Sequence, residues 1–427
     1  MMRGRAAQRT GGWSRRRFLL AAALAPAGAL LGRRAAAREV IRVGYVATRG
    51  GAVAGAAEYA TAGARVSAQE ALATAEMFGK AFELVEAEAR TPAEAAERAT
   101  EIAAKAKAVA VLGGLDEATC RQMAQALAAS RVLYVNAGSP AESLRGAGCH
   151  RTVFHVEASL AAYADALGVY LVHQAKADRV SLLTAEDAAG RSLEGAVRRA
   201  LGRAGGTIVE AATVPPGTSD FRPLLTRLLK AGAGALVLNL TGPDLYAAVR
   251  QAREGGAAIP LAAPLVEAVE AWAVDAGALP DLWPSVWSHD FRPYSGRELN
   301  SRFRKGLGRP GESRMWAHWC AVKVLWEAVL KRGSTAPADL IPFLEGDVTF
   351  DGHKGTGLSF RPWDHQLRQP LLILRRVASP KDRWGGFAFA QEVPLRGTPG
   401  ATEEAVLDTL GLGPSETACR FGPIPGA

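Results

Sequence analysis

Several classes of protein are excluded by what this sequence has little of. Four cysteines in 427 residues are too few for a small disulfide-rich scaffold, and 46 glycines with 23 prolines are too few for a collagen-like or low-complexity chain. The longest N-terminal apolar run, Phe18–Leu31, has 14 residues and is too short to cross a bilayer. Hydrophobic residues make up 48% and charged residues 22% of the chain, as in globular proteins with more than one domain.

Acidic residues are missing from positions 1–37, where eight arginines give the chain most of its formal charge of +9. Removing these eight from the 51 basic residues leaves 43, against 42 acidic residues. The basic character therefore belongs to one terminal segment. It does not indicate a nucleic-acid partner for the rest of the chain.

That terminal segment has the pattern of an export signal. Arg15 and Arg16 stand just before the apolar run Phe18–Leu31, and Ala35–Ala37 offers small residues for cleavage. The pattern predicts a twin-arginine signal peptide over 1–37 and export of a folded protein to the periplasm. No cysteine stands near the cleavage site, so a lipid anchor is not expected.

The four cysteines are Cys120, Cys149, Cys320 and Cys419. Their wide spacing, without a C-x-x-C pair, does not suit zinc. Export favours a disulfide, most plausibly one that uses Cys149, but three pairings are open. Cys320 stands in an apolar helical stretch, which suits a buried thiol.

Catalytic motifs are also lacking. The chain has no G-x-S-x-G elbow, phosphate-binding Walker loop or H-E-x-x-H pair, and its seven histidines are scattered. We therefore expect a protein that is not an enzyme and that holds no cofactor or metal.

Short apolar strands alternate with longer amphipathic helices, which predicts an α/β fold with parallel sheets. The pattern runs through strands at 39–46, 82–86, 108–112 and 132–136 and restarts with strands at 179–183, 207–214, 235–240 and 259–263. Two units of similar size indicate two lobes. A tryptophan-rich helix is expected over 295–330, then strands and turns over 348–374, and a tail from Gly385 that packs over the surface.

The loops after these strands are the candidate ligand-binding positions, because ligands bind beyond the carboxyl ends of parallel strands. In the first lobe the candidates are Thr48, Arg49, Gly114, Asp116, Asn136, Gly138 and Ser139, and in the second they are Glu186, Asp187, Asn239 and Thr241. The open ligand classes are a small carboxylate, a cofactor-related molecule and a metal complex. For a metal complex, Asp116, Glu117, Glu186 and Asp187 would supply carboxylates.

Two runs carry a family resemblance: Asp187–Arg191 and Val214–Phe221 resemble type I periplasmic binding proteins of the branched-chain amino acid group. The resemblance implies two Rossmann-like lobes that close on a ligand and deliver it to an ABC permease. The implied crossings lie near 153–158, 285–292 and 346–360. The implied segments are 38–155 and 289–347 for the first lobe, 156–288 for the second, and 348–427 for a crossing, a return to the second lobe and a tail.

A narrower resemblance rests on Phe360–Asp364 and Gln366–Pro370, with Ser143–Cys149 and the C-terminal cysteine in support. These runs are similar to binding proteins associated with pyrroloquinoline-quinone (PQQ)-dependent alcohol dehydrogenase systems. The resemblance implies a Cys149–Cys419 disulfide, a monomer, and a dehydrogenase as a further partner. A sensor or assembly factor that acts on a dehydrogenase or membrane kinase is the alternative function.

The chain departs from the amino acid binders at three positions. A hydroxyl residue usual after the third strand is replaced within Leu115–Glu117, a tyrosine is replaced by Ala189, and an acidic residue by Pro264 and Leu265. The sequence therefore shows no clamp for an α-ammonium and an α-carboxylate.

Overall fold

A computed structural model describes residues 38–50, 54–346, 348–394 and 400–426. The predicted signal peptide, with Arg15 and Arg16, lies outside them. From Val40 onwards the described residues form one compact unit, which is the part discussed below. Within the described ranges, no helix is both long enough and apolar enough to cross a membrane.

The first lobe is built on a five-stranded sheet of order β2-β1-β3-β4-β5, in which β1, β3, β4 and β5 pair in parallel. Its elements in chain order are β1 (Glu39–Thr48), α1 (Ala54–Ala75), β2 (Lys80–Ala89), α2 (Pro92–Lys105), β3 (Ala110–Gly113), α3 (Glu117–Ala129), β4 (Leu133–Asn136) and β5 (Val153–His155). The strands β3, β4 and β5 are buried throughout, as a parallel sheet covered on both faces requires.

The second lobe is built on a seven-stranded sheet of order β15-β14-β10-β9-β8-β6-β7. Its first elements are α4 (Leu160–Val169), β6 (Arg179–Ala185), α5 (Ala188–Ala204), β7 (Thr207–Val214), α6 (Arg222–Leu229), β8 (Ala235–Asn239), α7 (Gly242–Glu254), β9 (Leu261–Ala262), α8 (Ala268–Ala271) and β10 (Leu282–Ser285). The strands from β6 to β10 pair in parallel.

The chain then returns to the first lobe and finally to the second. The remaining elements are α9 (Tyr294–Leu307), α10 (Ser313–Arg332), α11 (Pro337–Glu345), β11 (Phe350–Asp351), β12 (Gly357–Phe360), β13 (Leu367–Arg368), β14 (Leu371–Arg376), β15 (Phe387–Val393) and α12 (Glu403–Leu407). Helix α10 packs on α1, and β11, β12 and β13 form a small separate sheet. The predicted two-lobed α/β fold is thus confirmed.

A close approach of α1 and α10 anchors the returning segment on the first lobe. Trp316 and Trp319 of α10 are fully buried. At Gly63 of α1, an added Cβ would lie 2.0 Å from the Met315 carbonyl oxygen, so only glycine fits this contact. The tryptophan-rich stripe is therefore core packing.

Three sequence expectations were wrong in detail. The single helix expected over 295–330 is two helices, because α9 ends at Gly308, which has a φ of 73°, and Pro310 and Gly311 follow. The segment after Gly385 is not all surface tail, since β15 forms an edge of the large sheet. That sheet is also mixed, because β14 pairs antiparallel with both β10 and β15.

Cys149 and Cys419 form a disulfide, which is the pairing that the resemblance implied. Cys120 and Cys320 are buried free thiols. The disulfide joins the loop after β4 to the C-terminal segment, 270 residues later in the chain.

Candidate ligand-binding site

Hydrogen bonds of Asn136, which is fully buried, fix the conformation of the loop after β4. Its Oδ1 accepts hydrogen bonds from the backbone N–H groups of Gly138 (3.1 Å) and Ser139 (2.9 Å). Its Nδ2 donates to the Ser139 carbonyl at 2.8 Å and lies 3.1 Å from Nδ1 of His155. Asn136 therefore builds the loop, and its amide has little capacity left for a ligand.

At Gly138, the loop after β4 comes close to the loop after β3. An added Cβ would lie 2.1 Å from the Gly114 carbonyl oxygen, so the loops after β3 and β4 touch through backbone at this point. The Gly138 carbonyl accepts a hydrogen bond from Nη1 of Arg314. Gly138 thus presents its backbone to a buried cation that the sequence analysis did not identify.

Arg314 stands at the centre of the site, in the first turn of α10, with only 6% of its surface exposed. Nη1 lies 3.2 Å from Glu157, which follows β5. Nε donates to Oε2 of Glu267 at 3.2 Å, and Nη2 donates to the other oxygen of the same carboxylate. Because Glu267 follows β9, this paired contact joins a helix on the first lobe to a loop of the second.

The carboxylates around Arg314 differ in their surroundings. Glu157 is buried and accepts a hydrogen bond from the Tyr163 hydroxyl; burial raises its pKa, while Arg314 and Tyr163 oppose the rise. Glu312 caps α10 by accepting from the backbone N–H groups of Arg314 (2.8 Å) and Met315 (2.9 Å). Burial raises the pKa of Glu312 to about 7.

Arg314 itself remains charged. Burial disfavours its charged form, but the neighbouring Glu267 and Glu157 outweigh that penalty and raise its pKa. If a buried guanidinium loses one of its two carboxylate partners, buried charge is left uncompensated. The site therefore contains side chains of opposite charge, and a polar ligand can take the place of one partner in an ion pair.

Two strand-end candidates keep a buried polar atom without a hydrogen-bond partner among the described residues. These atoms are Oγ1 of Thr48, at the end of β1, and Oδ1 of Asn239, at the end of β8. The amide nitrogen of Asn239 donates to Oγ1 of Thr184 at 3.0 Å. Buried polar atoms are nearly always paired, so each of these atoms has capacity for a ligand group or a water molecule.

The other candidates are engaged locally or exposed. Asp116 caps α3 by accepting from the Thr119 N–H, and Asp187 caps α5 by accepting from the Gly190 N–H. Arg49 pairs with Glu88 at 3.0 Å on the surface. Thr241 precedes α7 without a side-chain cap and is exposed, whereas Ser139 is buried. An added Cβ at Gly114 would lie 2.8 Å from Sγ of Cys120.

The carboxylates proposed for a metal complex are not gathered. Glu117 accepts from the Ser143 hydroxyl at 2.6 Å, and Glu186 accepts from the Thr213 hydroxyl at 2.7 Å. Asp116 and Asp187 are used as helix caps. In the ranges that the structure describes, no group of three or more histidine, cysteine, aspartate or glutamate residues could hold a metal ion.

The run Gln366–Pro370 is hydrogen-bonded to the segment that leads from β5 to α4. Gln366 Nε2 donates to the Glu157 carbonyl at 3.0 Å, and Gln369 Nε2 donates to the Val156 carbonyl at 2.7 Å. The buried Arg145 donates to Oε1 of Gln366 at 2.7 Å and to the Glu157 carbonyl at 2.6 Å. This run therefore contacts the chain at Val156 and Glu157, directly behind the Glu157 side chain.

Glu157, Glu267 and Arg314 were not among the residues predicted from the sequence. Pro264 and Leu265 stand where an acidic residue is usual after β9, but the carboxylate that enters the site comes from Glu267, only two residues beyond Leu265. Arg314 gave no signal, because nothing in its local sequence distinguishes it from the chain's other arginines. Their contacts join positions that are 47 and 157 residues apart.

Comparison with known proteins agrees with this architecture. A sequence model of a family described as periplasmic binding protein matches residues 40–380. No curated protein matches the chain.

Solved structures with the same fold are numerous, at low sequence identity. A branched-chain amino acid ABC transporter periplasmic ligand-binding protein from Burkholderia xenovorans is similar with a TM-score of 0.79 and 17% identity, over 89% of this chain and 99% of that one. A leucine-, isoleucine-, valine-, threonine- and alanine-binding protein from Brucella ovis, in a closed conformation, has a TM-score of 0.75 and 17% identity, over 90% and 99%. A periplasmic binding protein from Burkholderia mallei has a TM-score of 0.69 and 21% identity, over 89% and 98%.

Proposed function

The chain belongs to the periplasmic binding protein family, and from that premise we propose that it captures a small solute between its lobes and delivers it to an ABC permease. Membership in the family implies a periplasmic location and a role in binding. The twin-arginine route of export, the absence of catalysis and a monomeric state are parts of this proposal. The proposal also assigns the hinge to the crossings near 153–158, 285–292 and 346–360.

The observation that carries the proposal is the ion pair between Arg314 and Glu267. Arg314 is held on the first-lobe side by the Gly138 carbonyl and Glu157, whereas Glu267 belongs to the second lobe. When the lobes separate, Glu267 leaves with its lobe and Arg314 stays. Opening thus exposes one cationic and one anionic group that face each other across the cleft.

A zwitterionic ligand of the amino acid class fits this pair of charges. Its carboxylate would take the place of Glu267 on Nε and Nη2 of Arg314, and its ammonium would pair with Glu267. A carboxylate without an amino group would leave Glu267 unpaired, and an amine without a carboxylate would leave Arg314 unpaired; either outcome carries the cost of an uncompensated charge. The solved relatives described as amino acid binders support this ligand class.

We also propose the link to a PQQ-dependent alcohol oxidation system, with a dehydrogenase as a further partner. Its support is the resemblance of Phe360–Asp364 and Gln366–Pro370. The hydrogen bonds of the second run to Val156 and Glu157 do not bear on the partner. Co-purification with the permease and the dehydrogenase from the native periplasm and membrane tests this part.

The ligand class is tested in two stages. Native mass spectrometry of the mature protein from its own periplasm, compared with the denatured sample, would reveal a released small molecule. Calorimetric titration of ligand-free protein would then compare amino acids with leucine's two truncated analogues, 4-methylpentanoate and 3-methylbutylamine. We expect saturable binding of at least one amino acid and none of either analogue.

The variant E267Q separates the site from the fold. We expect a loss of amino acid affinity of about tenfold or more, since a charged partner contributes about 1.5–3 kcal/mol to a hydrogen bond. The control is E254Q, which removes a charge from an exposed position at the end of α7. Equal affinity of E267Q and E254Q would refute the assignment of the ammonium to Glu267.

A further inference from the structure

A pocket lined mainly by polar residues lies where the chain passes from β10 to α9. It has a volume of about 440 Å³ and is lined by His289, Asp290 and Arg292 on one side and by Arg297, Asn300 and Arg304 on the other. The first group belongs to the predicted second crossing. The second group lies on α9, at positions that share one helix face because they are three, four and seven residues apart.

The three arginines of this pocket lack ionic partners. Arg292, Arg297 and Arg304 are exposed, and none forms an ion pair or a side-chain hydrogen bond with any residue in the described ranges. By contrast, Arg302 on another face of α9 pairs with Glu70 at 2.6 Å. Three guanidinium groups on the wall of one pocket repel one another, and a bound anion would relieve that repulsion.

The carboxylate in the pocket wall is already engaged. Asp290 accepts the Ser288 hydroxyl at 2.6 Å and the backbone N–H of Phe389 at 2.9 Å. It joins the segment after β10 to β15, and hydrogen bonds from these two donors occupy its carboxylate. Three arginines and one aspartate leave the pocket a net charge of +2.

His289 adds a polar atom with no partner. Its Nδ1 is buried and makes no hydrogen bond with any described residue. Burial lowers the pKa of His289, with Asp290 and Asp382 opposing and Arg304 contributing. Asp382 is occupied by the backbone N–H groups of Trp384 and Gly385.

We propose that this pocket binds a phosphate group carried as a dianion, either inorganic phosphate or a phosphate monoester. Arginine forms paired hydrogen bonds with phosphate oxygens, and two negative charges match the pocket's net charge. Arg297 and Arg304 supply the helix side of the site, and Arg292 supplies the crossing side. This site is independent of the ligand class proposed for Arg314 and Glu267.

The test titrates inorganic phosphate into the mature protein in phosphate-free buffer, at constant ionic strength set with sodium chloride. Isothermal calorimetry should show saturable binding of phosphate to the wild type. The variant R297Q/R304Q should bind phosphate at least tenfold more weakly. The control R121Q/R131Q removes the same charge from two exposed arginines of the α3 region that also form no ion pair with described residues; it should bind like the wild type.

The outcomes are distinguishable. Absence of saturable binding to the wild type, or equal weakening in both double variants, would overturn the proposal. Far-ultraviolet circular dichroism and thermal melting without phosphate establish that both variants are folded. A parallel sedimentation assay uses phosphatidylglycerol vesicles, whose phosphate is a diester with one charge: vesicle binding that R297Q/R304Q loses, without binding of inorganic phosphate, would overturn the dianion proposal in favour of a lipid surface.

Discussion

At the scale of single residues, the buried charges around Arg314 carry the energetics of the site. A buried ion pair contributes little net stability, since desolvation offsets the attraction, but removal of one partner typically costs about 3–5 kcal/mol. Arg314 and Glu157 are each almost fully buried, whereas Glu267 is more accessible, with 28% of its side chain exposed. Glu267 is therefore the member of the cluster that can exchange its partner for a ligand.

Glu312 should make the stability of the protein depend on pH. Its pKa rises from 4.5 to about 7 on burial, so between these values the folded state binds more protons than the unfolded state. Stability from this group is therefore greatest below about pH 4.5, falls as the pH rises towards 7 and is constant above it. Between about pH 5 and pH 8, we expect the wild type to lose on the order of 3 kcal/mol more than E312Q.

Urea unfolding of both proteins at the two pH values measures this difference. The carboxamide of E312Q keeps the side chain's volume and an oxygen that can accept from the first turn of α10, so the comparison isolates the titration. Parallel pH profiles for the two proteins would contradict the assignment.

At the scale of elements, helix α2 shows how far local sequence decides structure. In the sequence, Thr91 followed by Pro92 and Glu94 is typical of a helix start, with threonine as the N-cap and proline at the first helical position. The structure confirms this: the Thr91 hydroxyl accepts from the Glu94 N–H at 3.1 Å, and α2 begins at Pro92. Such contacts span only three residues, so they can be inferred without knowledge of the fold.

The C-terminal segment 400–426 is an element whose role depends on distant contacts. Cys419 is bonded to Cys149 of the first lobe, and the Thr417 hydroxyl donates to the Arg145 carbonyl at 3.0 Å. On the second lobe, the Gly411 N–H donates to Asp165 of α4 at 2.8 Å. The segment thus contacts both lobes on either side of the crossings.

Breaking the disulfide should destabilise the protein. We expect C149S/C419S to lose about 2–5 kcal/mol in free energy of unfolding, since the bond closes a long loop in the unfolded chain. Denaturant unfolding with and without dithiothreitol measures this loss of stability. Reductant should lower the unfolding midpoint of the wild type to that of the variant and leave the midpoint of the variant unchanged. The buried thiols Cys120 and Cys320 serve as the internal control, because reductant does not alter them. Insensitivity of the wild type to reductant would show that the bond contributes nothing.

At the scale of the whole molecule, the two lobes meet beyond their crossings as well as within them. Tyr59 of α1 packs against Trp272, just after α8, with ring centroids 5.8 Å apart. This contact requires the lobes to lie close together, and the proposed ligand would keep them so by bridging Arg314 on one lobe and Glu267 on the other. Ligand binding to both lobes therefore favours closure through differential affinity.

Closure can be followed by hydrogen–deuterium exchange. Addition of an amino acid that binds should slow exchange in 265–272, because this segment carries Glu267 and Trp272 against the first lobe. Helix α6, on the second lobe, is the internal reference and should exchange at the same rate with and without ligand. Equal slowing in α6 would indicate general stabilisation, and unchanged exchange in 265–272 would contradict closure at this surface.

The sequence by itself determined the alternation of strands and helices, the two-lobed α/β class, the capped start of α2 and the edge of the sheets at which to seek a ligand. These features follow from periodicity, caps and strand ends, which are contacts of short range. Only the tertiary structure brought together the residues of the proposed site, since Glu157, Glu267 and Arg314 come from three separate segments. It also showed that Asn136, Asp116 and Asp187 serve the local backbone, because a side chain's free hydrogen-bonding capacity depends on neighbours that the sequence does not place beside it.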